Sequence, residues 1–144
     1  MAAQETSADA GLHAFLDDVS QHPLTKAQQQ WLHLDVATMF ASTPILDHEI
    51  NTEREKTLLF LKESLVLLCA NERIVHHFPR HLIHCFVDDQ RGDDTANEHL
   101  FHAELFSISP LEEQLCWVAD GHSEHEVPHL QAKVAQWMGW LNRV

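Results

Sequence analysis

Two short acidic segments carry the side chains best suited to chemistry. Residues 45–53 read ILDHEINTE, and residues 118–126 read VADGHSEHE. In each segment a Glu stands six residues after an Asp, Asp47 with Glu53 and Asp120 with Glu126. Because Ca²⁺ and Mg²⁺ prefer carboxylate oxygens as ligands, this spacing across a turn predicts a divalent-cation site. The alternative is that the same carboxylates cap the next helix and complement its dipole.

The second segment is predicted to be the better cation site. Gly121 allows a tight turn after Asp120 because it has no Cβ, whereas the first segment has His48 at that position. Glu124 offers a further oxygen ligand and His122 a nitrogen ligand. We therefore expect Ca²⁺ or Mg²⁺, in preference to Zn²⁺, at the following residues of the second and then the first segment: Asp120, Glu126, Glu124, His122, Asp47 and Glu53.

The chain has 13 histidines, and some are spaced as helical neighbours. His99 with His102, and His125 with His129, would share one face of a helix and could chelate a borderline metal. No HExxH motif is present. The interpretation we favour is that the histidines are ordinary surface or core side chains, and that any cation binds at the acidic segments first.

The elements that position these residues are predicted to be helices. Capping-box patterns, Ser or Thr followed three residues later by Glu or Gln, begin at five positions: Thr25, Thr52, Thr95, Ser109 and Ser123. Between them, apolar residues recur at intervals of three and four, which predicts about seven helices. The predicted helices centre on residues 12–19, 32–40, 58–68, 82–87, 100–105, 111–118 and 130–138. The predicted fold is thus all-α, a compact single-domain bundle over residues 1–144 in two pseudo-repeated halves, with residues 1–7 disordered.

Charge and composition limit the partners. The chain has 22 Asp and Glu against 9 Lys and Arg, a net charge of −13 with histidine neutral. Without a basic cluster to neutralise phosphates, it is expected to bind no nucleic acid, and a protein with a basic surface is the better partner. Cys69, Cys85 and Cys116 form no CxxC motif and are predicted to be buried thiols. No leader peptide and no bilayer-spanning apolar run is apparent, which predicts a cytoplasmic protein without a membrane span.

The two acidic segments resemble the motif of the tellurite-resistance TerB family. In that motif an apolar helix leads to an Ala-Asp-Gly turn, a Glu and an amphipathic helix that ends near Met-Gly. Residues 117–139, WVADGHSEHEVPHLQAKVAQWMG, are the better match, and residues 40–65 are a second copy with His48 in place of the glycine. Pro128 is a further departure, since it falls after the expected helix start. The resemblance implies two helix-turn-helix halves and metal binding at the acidic loops.

The sequence predicts a protein that is not an enzyme. It has no GxSxG motif and no glycine-rich phosphate loop. The resemblance implies a helical module that binds a divalent cation weakly and acts through protein contacts in a stress-response or resistance complex. The charge equally suits a second function, an acidic interaction, immunity or inhibitor protein that covers a basic surface of its partner. A metalloenzyme with His and carboxylate ligands is a third, weaker hypothesis, and the oligomeric state is left open.

Overall fold

The computed structural model describes residues 7–51, 55–91, 98–108 and 114–143. Within those residues the chain forms two antiparallel sheets with seven strands in total, and helices lie before the first sheet and after the second. The predicted all-α bundle is therefore wrong. The chain divides into two compact units, Met1–Arg80 and His81–Val144. The predicted disorder of residues 1–7 falls outside the described residues except at Ser7, which begins the first helix.

The first unit begins with helical segments. Helix α1 spans Ser7–Ser20, and a second helical stretch consists of α2 (Lys26–Gln30), a π-helical turn (Trp31–Val36) and α3 (Ala37–Met39). The start of α2 is the predicted capping box, which the structure confirms. The Thr25 amide donates to Gln28 Oε1 at 2.9 Å, and the Gln28 amide donates to Thr25 Oγ1 at 3.1 Å.

A four-stranded sheet follows in the same unit. Its strands are β1 (Asp47–Asn51), β2 (Lys56–Phe60), β3 (Ser64–Cys69) and β4 (Ile74–Pro79), hydrogen-bonded in that order. Consecutive residues of β2 and β3 are buried, so both faces of these strands are covered. One face forms a core with the helices; its fully buried members include Phe15, Leu32, Val36, Leu59, Val66 and Leu68.

The second unit is a three-stranded sheet with one helix. Strands β5 (Ile83–Arg91), β6 (Glu98–Ser107) and β7 (Cys116–Ser123) pair antiparallel in that order, and α4 (Val127–Leu141) packs against the sheet. Most buried core residues of this unit come from α4 and from alternate positions of the strands, and they include Ile83, Phe101, Ala103, Leu105, Trp117, Ala119, Val127, Leu130, Val134, Trp137 and Trp140.

Three predicted helices are confirmed, and the four between them are strands. Residues 12–19, 32–40 and 130–138 are helical, apart from Phe40 at the end of the second range. Residues 58–68 lie mostly in β2 and β3, residues 82–87 in β5 and residues 100–105 in β6, while residues 116–118 begin β7 and Leu111 falls outside the described residues. Apolar residues spaced four apart are compatible with the period of a helix and with that of a strand, because residues four apart share a face of either structure. The apolar spacing alone therefore did not separate the two structures.

None of the described helices is both long enough and apolar enough to cross a membrane.

Candidate functional site

The sheet of the second unit has one face that the described residues leave largely exposed. Successive side chains of a strand point to opposite faces, and residues 101, 103 and 105 of β6 are buried on the side of α4. The side chains between them are half-buried or exposed. We call the opposite side of the sheet the outer face. Its members, none of them buried, are His84, Phe86, Asp88, Gln90, Leu100, His102, Glu104, Phe106, Cys116, Val118, Asp120 and His122.

His102 is at the centre of the outer face, between two aspartates. It lies directly opposite Asp88 of β5 and directly opposite Asp120 of β7. The Ser107 amide donates to the Leu115 carbonyl at 3.2 Å, which makes His102 and Asp120 a non-hydrogen-bonded pair. Side chains approach most closely in such pairs. The geometry accounts for the hydrogen bond between His102 Nδ1 and Asp120 Oδ1.

Two carboxylates favour the protonated form of this imidazole. The hydrogen bond to Asp120 is the main cause that raises the pKa of His102 above its ordinary value of 6.5, and Glu104 adds to the shift. The His102 Nε2 atom is 3.7 Å from Glu104 Oε2. Partial desolvation acts in the opposite direction and is outweighed. His102 therefore carries a positive charge to a higher pH than an isolated histidine does.

A shallow groove of about 290 Å³ runs across this part of the outer face. Its side-chain walls are formed by Asp88, Gln90, Leu100, His102, Asp120 and His122. Asp88 and Asp120 are both exposed, so their carboxylates are available to an incoming group. The groove has room for one long side chain, with an apolar wall at Leu100 and carboxylates from the two outer strands.

The outer face combines negative charge with exposed apolar surface. Phe86 is 52% exposed and Leu100 is 53% exposed. The acidic side chains among them are Asp88, Glu104 and Asp120, with the His102 imidazole between them, and none of the twelve outer-face positions holds a Lys or Arg. Large exposed apolar side chains that lie together with clustered acidic side chains are typical of a binding surface.

The structure does not bring the predicted cation ligands Asp120 and Glu126 together. Asp120 points to the outer face, where it bonds His102. A Cβ placed on Gly121 would point to the opposite side, 2.4 Å from Leu130 Cδ1 and 3.4 Å from Glu126 Oε2. Glu126 thus lies on the side of α4, at the N-cap of that helix, where its carboxylate accepts from Ser123 Oγ at 3.2 Å.

The other predicted ligands of the second segment are also dispersed. His122 lies near Asp120 on the outer face, whereas Glu124 is exposed in the turn before α4. Gly121 is in strand β7 and has no positive φ, so it does not form the predicted tight turn. Among the described residues no group of three or more His, Cys, Asp or Glu is arranged to hold a metal ion.

The first acidic segment forms part of strand β1. Asp47 is exposed at the start of that strand, and its Oδ1 accepts a hydrogen bond from the His48 amide at 2.8 Å. Glu53 lies outside the described residues. The His48 ring contacts helix α1 instead: its Nε2 is 2.7 Å from Asp18 Oδ2, and its ring meets Phe15 edge-on at 5.7 Å. His48 therefore helps to fix strand β1 to the helix.

The histidine pairs do not form the helical arrangements considered above. His99 and His102 are on strand β6, and His125 lies in the turn before α4, which contains His129. The thiols differ from one another in exposure: Cys69 is buried, Cys85 half-buried and Cys116 exposed, and none forms a disulfide among the described residues. Burial raises the pKa of the Cys85 thiol, which disfavours its reactive thiolate.

Sequence reasoning identified Asp120 and His122 but missed Asp88, Leu100, His102 and Glu104 as a surface. The signal that would have found them is the alternation in residues 101–107, FHAELFS, where buried apolar or small residues separate His102, Glu104 and Phe106.

Comparison with protein-family models, with curated proteins and with solved structures gave no significant match.

Proposed function

We propose that this chain is an acidic, non-catalytic interaction protein whose outer face binds a basic and apolar segment of a partner protein. The observation that carries the proposal is the groove, in which Leu100 is exposed two residues along β6 from His102 and shares the lining with the carboxylates of Asp88 and Asp120. A segment with an Arg or Lys beside an apolar residue complements this groove. The segments that resemble the TerB motif lie partly in strands, so the function suggested by charge is the one that the geometry favours.

Each part of the groove contributes a different component of binding. Covering the exposed half of Leu100 contributes about 1 kcal/mol, since full burial of a leucine side chain is worth about 1.5–3 kcal/mol. A hydrogen bond to a charged group contributes about 1.5–3 kcal/mol. The net charge of −13 attracts a basic partner from a distance and makes association faster at low salt.

Selection from a display library of random 12-residue peptides tests the proposal. The immobilised full chain is expected to enrich peptides that contain Arg or Lys next to Phe, Leu or Trp. Binding of the selected peptides should fall about fivefold with Leu100→Ser and at least about tenfold with Asp120→Asn, because a loss of about 1.4 kcal/mol corresponds to a factor of ten. Raising the salt concentration should weaken it further.

Matched controls exist in the first unit. Leu34 is 64% exposed and its neighbour Asp35 is also exposed, so Leu34→Ser and Asp35→Asn change an equivalent apolar and acidic surface elsewhere. These variants should bind the selected peptides as the parent does. Enrichment of acidic or uncharged peptides, or equal losses in the control variants, would contradict the proposed function.

A further inference from the structure

Strand β5 is a long edge strand. It spans nine residues, Ile83–Arg91, and no described strand pairs with it on the side away from β6. Natural edge strands are commonly protected against pairing by charged side chains, lysine above all, and by proline, bulges or short length. β5 contains neither lysine nor proline, its charged residues Asp88, Asp89 and Arg91 are confined to its C-terminal end, and its pairing with β6 shows no irregularity. Its central residues Phe86 and Val87 are 52% and 43% exposed.

The direction of the backbone groups of β5 follows from one hydrogen bond. The Ile108 amide donates to the Leu82 carbonyl at 2.8 Å, and residues 83 and 107 are opposite each other. Residues 84, 86 and 88 therefore form the hydrogen-bonded pairs with β6. The N–H and C=O groups of Cys85 and Val87 point to the uncovered edge, where they can pair with another strand.

We propose that β5 pairs antiparallel with β5 of a second copy of this chain, so that two three-stranded sheets become one six-stranded sheet. The two-fold axis passes beside Phe86, which lies opposite the Phe86 of the other copy. In this register Cys85 and Val87 form the hydrogen-bonded pairs. Such a two-fold arrangement is complete with two copies, because each β5 then pairs on both sides and cannot accept a third copy. The inference rests on the edge of β5 and not on the proposed function. The two share Asp88, which lines the groove and here faces His84 of the other copy, whereas Leu100 of β6 and Asp120 of β7 take no part in the pairing.

Side-chain complementarity selects this register. With Phe86 opposite Phe86, His84 of each copy lies opposite Asp88 of the other, so an imidazole meets a carboxylate twice and two aromatic rings meet at the axis. These are non-hydrogen-bonded pairs, in which the Cα atoms are about 4.5 Å apart and the side chains approach most closely.

The neighbouring registers with the same hydrogen-bonding pattern lose the pairing of His84 with Asp88. If Val87 were opposite Val87, Phe86 would meet Asp88 of the other copy. If Cys85 were opposite Cys85, Asp88 would meet Leu82, which lies before the strand begins. If Asp88 were opposite Asp88, two carboxylates would face each other across the axis. Like charges directly opposite each other destabilise a strand pair. The complementary pairing of His84 with Asp88 is what identifies a second copy as the occupant of this edge.

Sedimentation equilibrium of the full chain tests the proposal. The expected mass is twice the 16.5 kDa of one chain. Val87→Pro removes an amide that points to the uncovered edge and leaves the β5–β6 ladder intact, a position where a strand accepts proline. This variant should sediment as a monomer with an unchanged far-UV circular dichroism spectrum. Val87→Ala, which keeps the amide, should remain a dimer. A parent chain that is monomeric up to about 100 µM, far above the range of stable dimers, would overturn the proposal.

Cysteine cross-linking tests the register and does not depend on the proline variant. In a chain with Cys85→Ser and Cys116→Ser, Phe86→Cys places the new thiol opposite the same position of the other copy, and this variant should form a covalent dimer on mild oxidation. Val87→Cys in the same background places the thiol opposite position 85, and this variant should form little covalent dimer. Cross-linking of the Val87 variant but not of the Phe86 variant, or of neither, would overturn the proposed pairing.

Discussion

Asp120 of strand β7 lies directly opposite His102 of strand β6, and its carboxylate bonds the imidazole. The contact is a cross-strand side-chain pair, which fixes the rotamers of both residues on the outer face. It also keeps one carboxylate oxygen occupied while Asp120 stays about half exposed, with 49% of its side chain accessible. The pair thus orders the middle of the outer face and leaves Asp120 accessible to a partner.

The pair predicts a titration that depends on Asp120. NMR titration of the His102 ring protons should give a pKa above 6.5 in the parent chain. Asp120→Asn removes the main cause of the increase, so the pKa should fall. Asp88→Asn is the control: the Asp88 carboxylate accepts from Gln90 at 3.3 Å and is not among the causes of the shift. A pKa that changes equally in both variants would contradict the assignment of the shift to the Asp120 bond.

The same shift predicts how stability depends on pH. A histidine whose pKa is raised by folding adds stability that is complete below its unfolded pKa and is lost as the pH rises through the folded value. Urea unfolding should therefore show that His102→Gln lowers the free energy of unfolding more at pH 5.5 than at pH 9. A difference between parent and variant that grows toward pH 9 would show that the sign is wrong.

Gly11 and Gly139 are predicted to respond to alanine in opposite directions. A Cβ on Gly11 would lie 2.0 Å from the backbone oxygen of Ile45, so helix α1 must move away. Gly11→Ala should destabilise the protein by about 2 kcal/mol, the usual cost of overpacking. A Cβ on Gly139 in α4 meets nothing within 4 Å, and Gly139→Ala should stabilise by about 0.5–1 kcal/mol. Urea unfolding measures both, and equal effects would contradict the close approach of α1 to Ile45.

The capping box at the start of α2 makes a smaller, specific prediction. Thr25→Ala removes the hydroxyl that accepts from the Gln28 amide at 3.1 Å, and it should cost about 1 kcal/mol. Thr25→Ser keeps the hydroxyl and should cost much less. If serine and alanine destabilise the chain equally in thermal unfolding, the hydroxyl is not the stabilising group.

Divalent cations are expected to bind weakly. Because Asp120 and Glu126 lie on opposite sides of the sheet, calorimetric titration with Ca²⁺ and Mg²⁺ should give dissociation constants of about 1 mM or weaker, typical of poorly formed oxygen sites. Asp120→Asn should leave these values unchanged. Micromolar binding that is lost in that variant would restore the cation site inferred from the sequence.

The ends of the chain were predictable from sequence, whereas its middle was not. Thr25 with Gln28 caps α2, and Val134 and Trp137 mark one buried face of α4, since in both regions local signals and tertiary packing agree. In contrast, the run of apolar residues from Leu65 to Ala70 is buried on consecutive positions in and just after β3. Such a run suits a buried helix as well as a strand covered on both faces, and only tertiary contacts distinguish the two.

The candidate site was predictable only in part for the same reason. Asp120 and His122 were identified as candidate cation ligands, but they were assigned to a turn between helices. Placing residues 117–121 in a strand reverses the geometry, because Asp120 then faces away from Gly121 and from Glu126. The residues that surround Asp120, such as His102 and Asp88, come from other strands and are distant in sequence. Pairing of the strands had to be known before this surface could be assembled.

Chemical-shift mapping of a selected peptide on the ¹⁵N-labelled full chain tests the central claim most directly. Saturable shifts should concentrate on the amides of Leu100, His102 and Asp120, and they should be lost when Leu100→Ser is titrated with the same peptide. The Leu34→Ser control should reproduce the parent's shifts. Shifts that concentrate on α1 to α3, or that never saturate, would contradict the assignment of the outer face as the partner-binding surface.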